Sequence, residues 1–283
     1  MKRINLSKLG PGLLFAGAAI GVSHLVQSTR AGADYGFGLV WALLLIHFVK
    51  YPFFQYGPRY ASATGESLLE GYQKLGKGIL ELYGLLTFLT MFTIQAAVTI
   101  VTAGIASSLF GDFISVKLWT VLILSGCFVL LNVGKYQFLD RVMKLIVLGL
   151  TLTTLTATIM AINGTNDAVS LAQFFPKGSI EVSFLIAFMG WMPAPLDVSV
   201  WHSLWTTEKQ KLSNGNSSPK SALLDFNIGY FGTVVLGISF VALGALIMNP
   251  AAKSFSDSAG VFSVQLIEMY TQSLGNWAYI IIG

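Results

Sequence analysis

The sequence predicts an all-α polytopic membrane protein, and three observations carry the prediction. Only 11% of the 283 residues are charged while 54% are hydrophobic, against roughly 25% charged in an average soluble domain. Apolar runs of about 20 residues, enough to cross a hydrocarbon layer, recur along nearly the whole chain. Two of these runs, five apart in order, are interrupted in mid-course by glycine or proline. A soluble globular protein is excluded, because too few charges remain to cover a surface. Disorder, a collagen-like fibre and a disulfide-built module are excluded by the 13% aromatic content, the aperiodic glycines and the single cysteine, Cys127, which sits in an apolar run.

Eight spans are expected within one transmembrane domain, residues 1–283, at roughly 12–30, 36–57, 82–108, 116–133, 142–162, 183–205, 223–248 and 264–283. Poor helix continuers set several limits. Gly57-Pro58 is expected to end the second span, Gly134-Lys135 the fourth and Asn249-Pro250 the seventh. Asp140, Arg141 and Lys144 precede or open the fifth, with an i, i+4 pair available at its mouth. The polar run Ser213–Pro219 reads as a flexible linker before the seventh span. Lys2, Arg3 and Lys8 ahead of Ala16-Gly17-Ala18 imitate a signal peptide, but the apolar stretch continues past any cleavage point and seven further spans follow.

Lysine and arginine placement predicts orientation. With the N-terminus cytoplasmic, thirteen of the 17 basic residues fall on that side, and four, Arg30, Lys117, Lys177 and Lys253, on the other. The expected location is therefore an integral, multi-pass position in the plasma (inner) membrane with a cytoplasmic N-terminus. The net charge of +4 needs only topology and anionic lipid as its explanation, so the lipid bilayer is the expected partner and nucleic acid is not.

The first interruption is Gly21-Val22-Ser23-His24, in the first span. The second is Gly190-Trp191-Met192-Pro193-Ala194-Pro195, followed by Leu196-Asp197, in the sixth. Prolines two residues apart remove two backbone donors, and freed backbone at membrane depth survives only in protein or along a cavity. Paired breaks in corresponding spans of two halves point to a substrate site in inverted-repeat transporters. Spans one and six correspond if each repeat has five helices. The offset from Gly21 to Pro193 is 172 residues, so a first repeat at about 10–162 implies a second from about 182 to about 334. Residues 182–283 then form an incomplete second repeat, and the chain is expected to be cut inside its eighth span.

Gly10-Pro11-Gly12, Ala31-Gly32-Ala33, Gly36 and Trp41 resemble the first span of the Nramp divalent-metal transporters without a gap. Pro58-Arg59-Tyr60-Ala61-Ser62-Ala63-Thr64-Gly65-Glu66-Ser67-Leu68 is similar to the loop after their second span, and Met192-Pro193 to their sixth-span motif. The resemblance covers essentially the whole chain. It implies a LeuT-like 5+5 inverted-repeat fold with broken helices 1 and 6, in a family of eleven or twelve spans. It also implies where the chemistry should lie, and there this sequence departs. The family's Asp-Pro-Gly-Asn, whose Asp and Asn bind metal, is here Gly21, Val22, Ser23 and His24. Its Met-Pro-His, with a metal-ligating Met and a His linked to proton transport, is Met192, Pro193 and Ala194. The acids that its third span uses for proton movement are absent from Thr90 to Gly104.

The expected substrate site is His24, Met192, Asp197, Gly21, Ala194 and Ser23, with carbonyls freed at Ile20, Gly21 and Trp191. Thioether and imidazole suit transition metals, and carboxylates suit hard cations, so His24, Met192 and Asp197 are the candidate metal ligands. Asp197 is the one acid near either break. A carboxylate at the bilayer centre costs about 2.5–3.5 kcal/mol even on the insertion scale, so it should be paired, protonated or in a watery cavity. The expected function is secondary transport of a divalent cation by alternating access, with an altered metal site and altered proton coupling. The alternative is a small organic anion or amino acid held by backbone donors at Gly21 to Ser23. No metalloprotease, P-loop or nucleophile-elbow pattern occurs, so no enzyme is expected, and no cofactor beyond the transported metal. His47 and Lys50 read as snorkelling at the end of the second span. Trp201, His202 and Trp205 read as an aromatic belt, and Asp225 and Asn227 as polar residues at the opening of the seventh span.

Overall fold

The computed structural model describes residues 10–111, 113–165, 169–213, 218–251 and 253–275, and every regular element among them is helical. The basic N-terminal residues, positions 214–217 of the expected linker and the last eight residues of the expected eighth span lie outside the described residues.

The first span is a composite of α1 (Pro11–Ala19), a π-helical segment (Val22–Ser28) and α2 (Thr29–Tyr35). Proline is tolerated at the first position of α1 because its missing N–H has no helical acceptor there. The expected second span is α3 (Val40–Thr64), which continues through Pro52 and Pro58 to a left-handed cap at Gly65, φ +76°. The helix therefore passes the expected stop at Gly57-Pro58. Packing explains this: a Cβ on Gly57 would lie 2.4 Å from the Ser199 carbonyl, and the Ser199 hydroxyl donates to the Phe53 carbonyl at 3.0 Å. A neighbouring helix thus clamps the stretch that proline weakens.

After α3, Ser67 and Glu70 form a capping box that starts α4 (Leu68–Leu75), and Leu68 N–H donates to the Ser203 hydroxyl at 2.9 Å. Glu66 accepts from Lys74 and Tyr60, and the Lys74 ammonium holds its carboxyl below the usual range. Next come α5 (Lys77–Phe110) and α6 (Val116–Gly164). Gly134 does not interrupt α6, since one glycine costs a helix only about 1 kcal/mol relative to alanine. Its halves, Val116–Gly134 and Tyr136–Gly164, are each long and apolar enough to cross a membrane. The expected Asp140–Lys144 pair forms at 2.6 Å.

The sixth span divides into α7 (Ser179–Trp191) and α8 (Asp197–Leu212). The seventh is α9 (Pro219–Leu243), prolonged by a π-helical turn (Gly244–Met248), and α10 (Ala259–Leu274) follows.

The burial pattern separates inner from outer helices. The apolar windows of the first and seventh spans are each 61% buried, whereas that of α5 is 6% and that of the first half of α6 is 0% buried. Exposed Phe88, Phe92, Phe128 and Leu131 on α5 and α6 therefore present a lipid-compatible outer wall. The first and seventh spans meet backbone to backbone. A Cβ on Gly12 would lie 2.0 Å from the Asp225 carbonyl, and one on Gly229 2.0 Å from the Gly12 carbonyl. At the other end, Gly32 stands in the same relation to Val241, 2.0 Å, and Gly244 to Thr29, 2.2 Å. Close approach through small residues is how helices associate where the hydrophobic effect is absent.

Asp225 completes this seam. Its side chain is buried and accepts from the amides of Gly10 and Gly12 at 3.0 Å each, which places a carboxylate at the positive end of α1. Asn227, two residues on, accepts from the Tyr51 hydroxyl at 2.7 Å.

Gly12→Ala and Gly229→Ala are expected to lower the melting temperature of the detergent-solubilised protein sharply, because backbone and not a movable side chain meets the new methyl. Asp225→Ala should cost roughly 2–4 kcal/mol through two lost charge-assisted bonds. Unchanged melting of all three variants would show that the seam contributes nothing to stability.

Candidate functional site

The two breaks arise from different local causes. In the first span, α1 stops at Ala19, and Ile20 and Gly21 leave the helical region before the chain re-enters as a π helix. In the sixth, Met192 is extended, its bond to Pro193 is cis, and α8 begins only at Asp197. Were α7 to continue, the next amide due to its carbonyls would come from residue 193, a proline without N–H.

Polar side chains join the breaks to each other and to α9. The Ser23 hydroxyl contacts the Ala19 carbonyl, lies 2.7 Å from His24 Nδ1 and donates across to the Pro193 carbonyl at 3.0 Å. The His24 ring is fully buried, with Nδ1 3.0 Å from the Ala19 carbonyl and Nε2 3.0 Å from the Thr233 carbonyl on α9. Its edge meets the buried ring of His47, centroids 6.3 Å apart. His47 in turn places Nδ1 2.7 Å from the Leu43 carbonyl, and the Tyr230 hydroxyl donates to the His47 carbonyl at 2.6 Å. His47 is thus part of the core and does not snorkel.

A cavity of about 380 Å³ lies beside both breaks. Of the six expected site residues it is lined by Gly21, Ser23 and Asp197, and α5 contributes Thr87 and Gln95 to the opposite wall. Asp197 is the first residue of α8, where the helix dipole favours a carboxylate.

The other three expected residues are not brought to the cavity. His24 has each ring nitrogen 3.0 Å from a backbone carbonyl, of which a neutral ring donates to one, and it acts as a brace. Met192 is fully buried in an apolar cluster with Leu43, Phe188 and Val241, and Ala194 in another with Phe15 and Phe54. The candidate metal set His24, Met192 and Asp197 is therefore split between core and cavity. Among the described residues no group of three or more His, Cys, Asp or Glu side chains is placed to hold a metal ion.

Lys50 also departs from its expectation. Its ammonium does not reach for the interface but donates to the carbonyls of Met189, Gly190 and Met192, at 3.1, 2.8 and 2.7 Å. A lysine seven residues inside the expected end of an apolar span was the available signal; Gln95 and Thr87 gave a similar one as polar residues in α5. His202 is no belt residue either. It is fully buried against Phe15, Phe226 and Trp205, whereas Trp201 is partly exposed and lines the cavity.

The profile described as natural resistance-associated macrophage protein-like, Nramp, matches residues 12–283. The chain belongs to the Nramp family. An uncharacterized protein of Pasteurella multocida (strain Pm70) is 37% identical to this Nramp protein over 275 residues, which are 95% of this chain and 63% of the relative. Among solved structures, a mutant manganese transporter of Eremococcus coleocola superposes with a TM-score of 0.65 at 15% identity, over 96% of this chain and 64% of that one. The chain thus spans somewhat under two thirds of the length of both. The likeness supports the LeuT-like fold of broken helices 1 and 6, and membership makes this an integral, multi-pass membrane protein of a transporter family.

His24→Phe puts a larger ring without nitrogen into a fully buried site and removes the polar contacts to the Ala19 and Thr233 carbonyls, so it is expected to lower the melting temperature of the Nramp protein by the equivalent of roughly 2 kcal/mol or more. Asp197→Asn should change it by less than about 1 kcal/mol. The reverse order in a thermal-shift measurement would remove the distinction drawn between brace and cavity wall.

Proposed function

We propose that this protein is a secondary transporter that moves a divalent metal cation by alternating access, with the cavity beside the paired breaks as its substrate site. The observation that carries the reading is Asp197, a carboxylate at the start of α8 on a cavity wall that also holds Ser23, Thr87 and Gln95. A hard cation takes oxygen ligands and can keep part of its water. One carboxylate with neutral oxygens is such a set, weaker than a cluster of acids. Family membership supports the substrate class, and the Eremococcus coleocola neighbour is itself a manganese transporter.

The basic-residue asymmetry supports a cytoplasmic N-terminus. The cavity then lies toward the cytoplasmic half of the first and sixth spans, since it reaches Gly17 and Trp201. Beyond the break, toward the opposite side, Arg30 pairs with the exposed Asp257 at 3.0 Å and lies 5.4 Å over the Phe262 ring. Without acids between Thr90 and Gly104, proton movement through the third span has no carboxylate to use, which supports altered coupling.

A second reading is a small organic anion or amino acid. Gly21, Val22 and Ser23 line the same cavity, and the first amides of the π-helical segment have no carbonyl a turn earlier. A carboxylate could take those donors while an ammonium faced Asp197.

Proteoliposomes of the full-length protein test both. Saturable uptake of manganese or magnesium, lowered about tenfold or more in Asp197→Ala, is expected from the loss of one charge-assisted contact. Metal-independent uptake of an amino acid with the same Asp197 dependence would replace the first reading by the second, and absence of both would end both.

A further inference from the structure

We propose that Lys50 is a built-in cation that permanently fills a carbonyl cage at the end of α7 and so decides what the break in the sixth span can bind. The cage follows from the sequence. The last carbonyls of any helix lack amide partners and carry the negative end of its dipole. Here Pro193 and Pro195 withhold two of the amides that could have come next, and the extended Met192 turns a further carbonyl to the same place. Three oxygens, from Met189, Gly190 and Met192, converge within 3.1 Å of one point, and that point is occupied by Lys50 Nζ.

An ammonium group has three protons and no lone pair, so three carbonyls use its hydrogen-bonding capacity in full. No carboxylate pairs with Lys50 among the described salt bridges. Among the described residues its charge is met by backbone dipoles, as an ion's is in a carbonyl-lined filter. A free cation placed there would meet a fixed positive charge at hydrogen-bond distance. The cage is closed to cargo, and Asp197, four residues beyond Pro193, is left as the charged group of the break that a substrate can reach. Lys50 is in this sense a specificity-determining and positioning residue. It also ties α3 to α7 at the point where the sixth span loses its helical bonds.

Removal of the side chain should leave the cage intact and empty, and small cations should then take its place. The test is thermal melting of the purified full-length protein in detergent, in choline chloride against equal concentrations of ammonium, methylammonium or potassium chloride. Wild type should melt at the same temperature in all four. Lys50→Ala should melt several degrees lower in choline and regain more than half of the difference in ammonium or methylammonium; Lys50→Met, whose side chain still fills the stem's volume, should regain less. Lys50→Ala should also retain tracer rubidium that wild type does not. Equal melting of Lys50→Ala and wild type in choline would overturn the proposal, as would a Lys50→Ala protein that melts no higher in ammonium or methylammonium than in choline. If Lys50→Ala folds only when prepared in ammonium, the proposal stands; if it folds in neither salt while Lys50→Met folds and ignores cations, the proposal falls. None of these readouts depends on what the protein carries, so failure of the transport experiment leaves them interpretable.

Discussion

A helix that breaks inside an apolar layer must hand its freed N–H and C=O groups to protein, because water is not there to take them. Most of the unusual features of this chain answer that demand. Each unpaired buried group costs roughly 1–3 kcal/mol, and the two breaks create several. The Ala19 and Pro193 carbonyls are met by Ser23 and His24, while the Met189, Gly190 and Met192 carbonyls are met by Lys50. At the other end of α1, the amides of Gly10 and Gly12 go to Asp225. The donors and acceptors come from four different helices, so the breaks are held by tertiary structure and not by their own segments.

The same network ties the first span to α9 along its length. Gly12 and Gly229 meet at one end, Gly32 and Gly244 belong to the contact at the other, and His24 reaches Thr233 between them. A displacement of the first span relative to α9 would have to separate backbones already in contact and empty a buried histidine of its partners. The two therefore behave as one packed unit, to which α3 and α8 are added through Ser199 and Gly57. The sparsely buried α5 and the first half of α6 stand outside it. The cavity lies where that unit faces α5, between the densely and loosely packed parts of the molecule.

This arrangement gives the departures from the Nramp motif a physical meaning. At the first break, where the resemblance implies an acid and an amide that bind metal, the chain has Gly21, with no side chain to offer, and the imidazole of His24, turned to backbone. At the second, backbone carbonyls that a free cation could have used are occupied by a tethered ammonium. In both places ligand capacity is taken up by contacts within the protein. What remains in the cavity is a single carboxylate, Asp197, with neutral oxygens around it.

Much of the fold was legible in the sequence because it rests on strong, local signals. Long apolar runs, the paired interruptions and the scaffold motifs fix a membrane protein with broken helices 1 and 6, whatever the packing. Helix limits were less legible: α3 overran Pro58 because Ser199 and Gly57 clamp it, which no local propensity records. The site was legible only in part. Gly21, Ser23 and Asp197 reach the cavity, but whether a break residue points to cavity or core depends on the rotation of each half-helix against its neighbours. That rotation sent His24 to Thr233, Met192 and Ala194 into apolar clusters and Lys50 inward to α7. The sequence by itself determined in which two stretches the backbone would run short of hydrogen bonds; only the tertiary structure decided which side chains would supply them, because the partners that satisfy freed backbone groups lie up to 215 residues away along the chain.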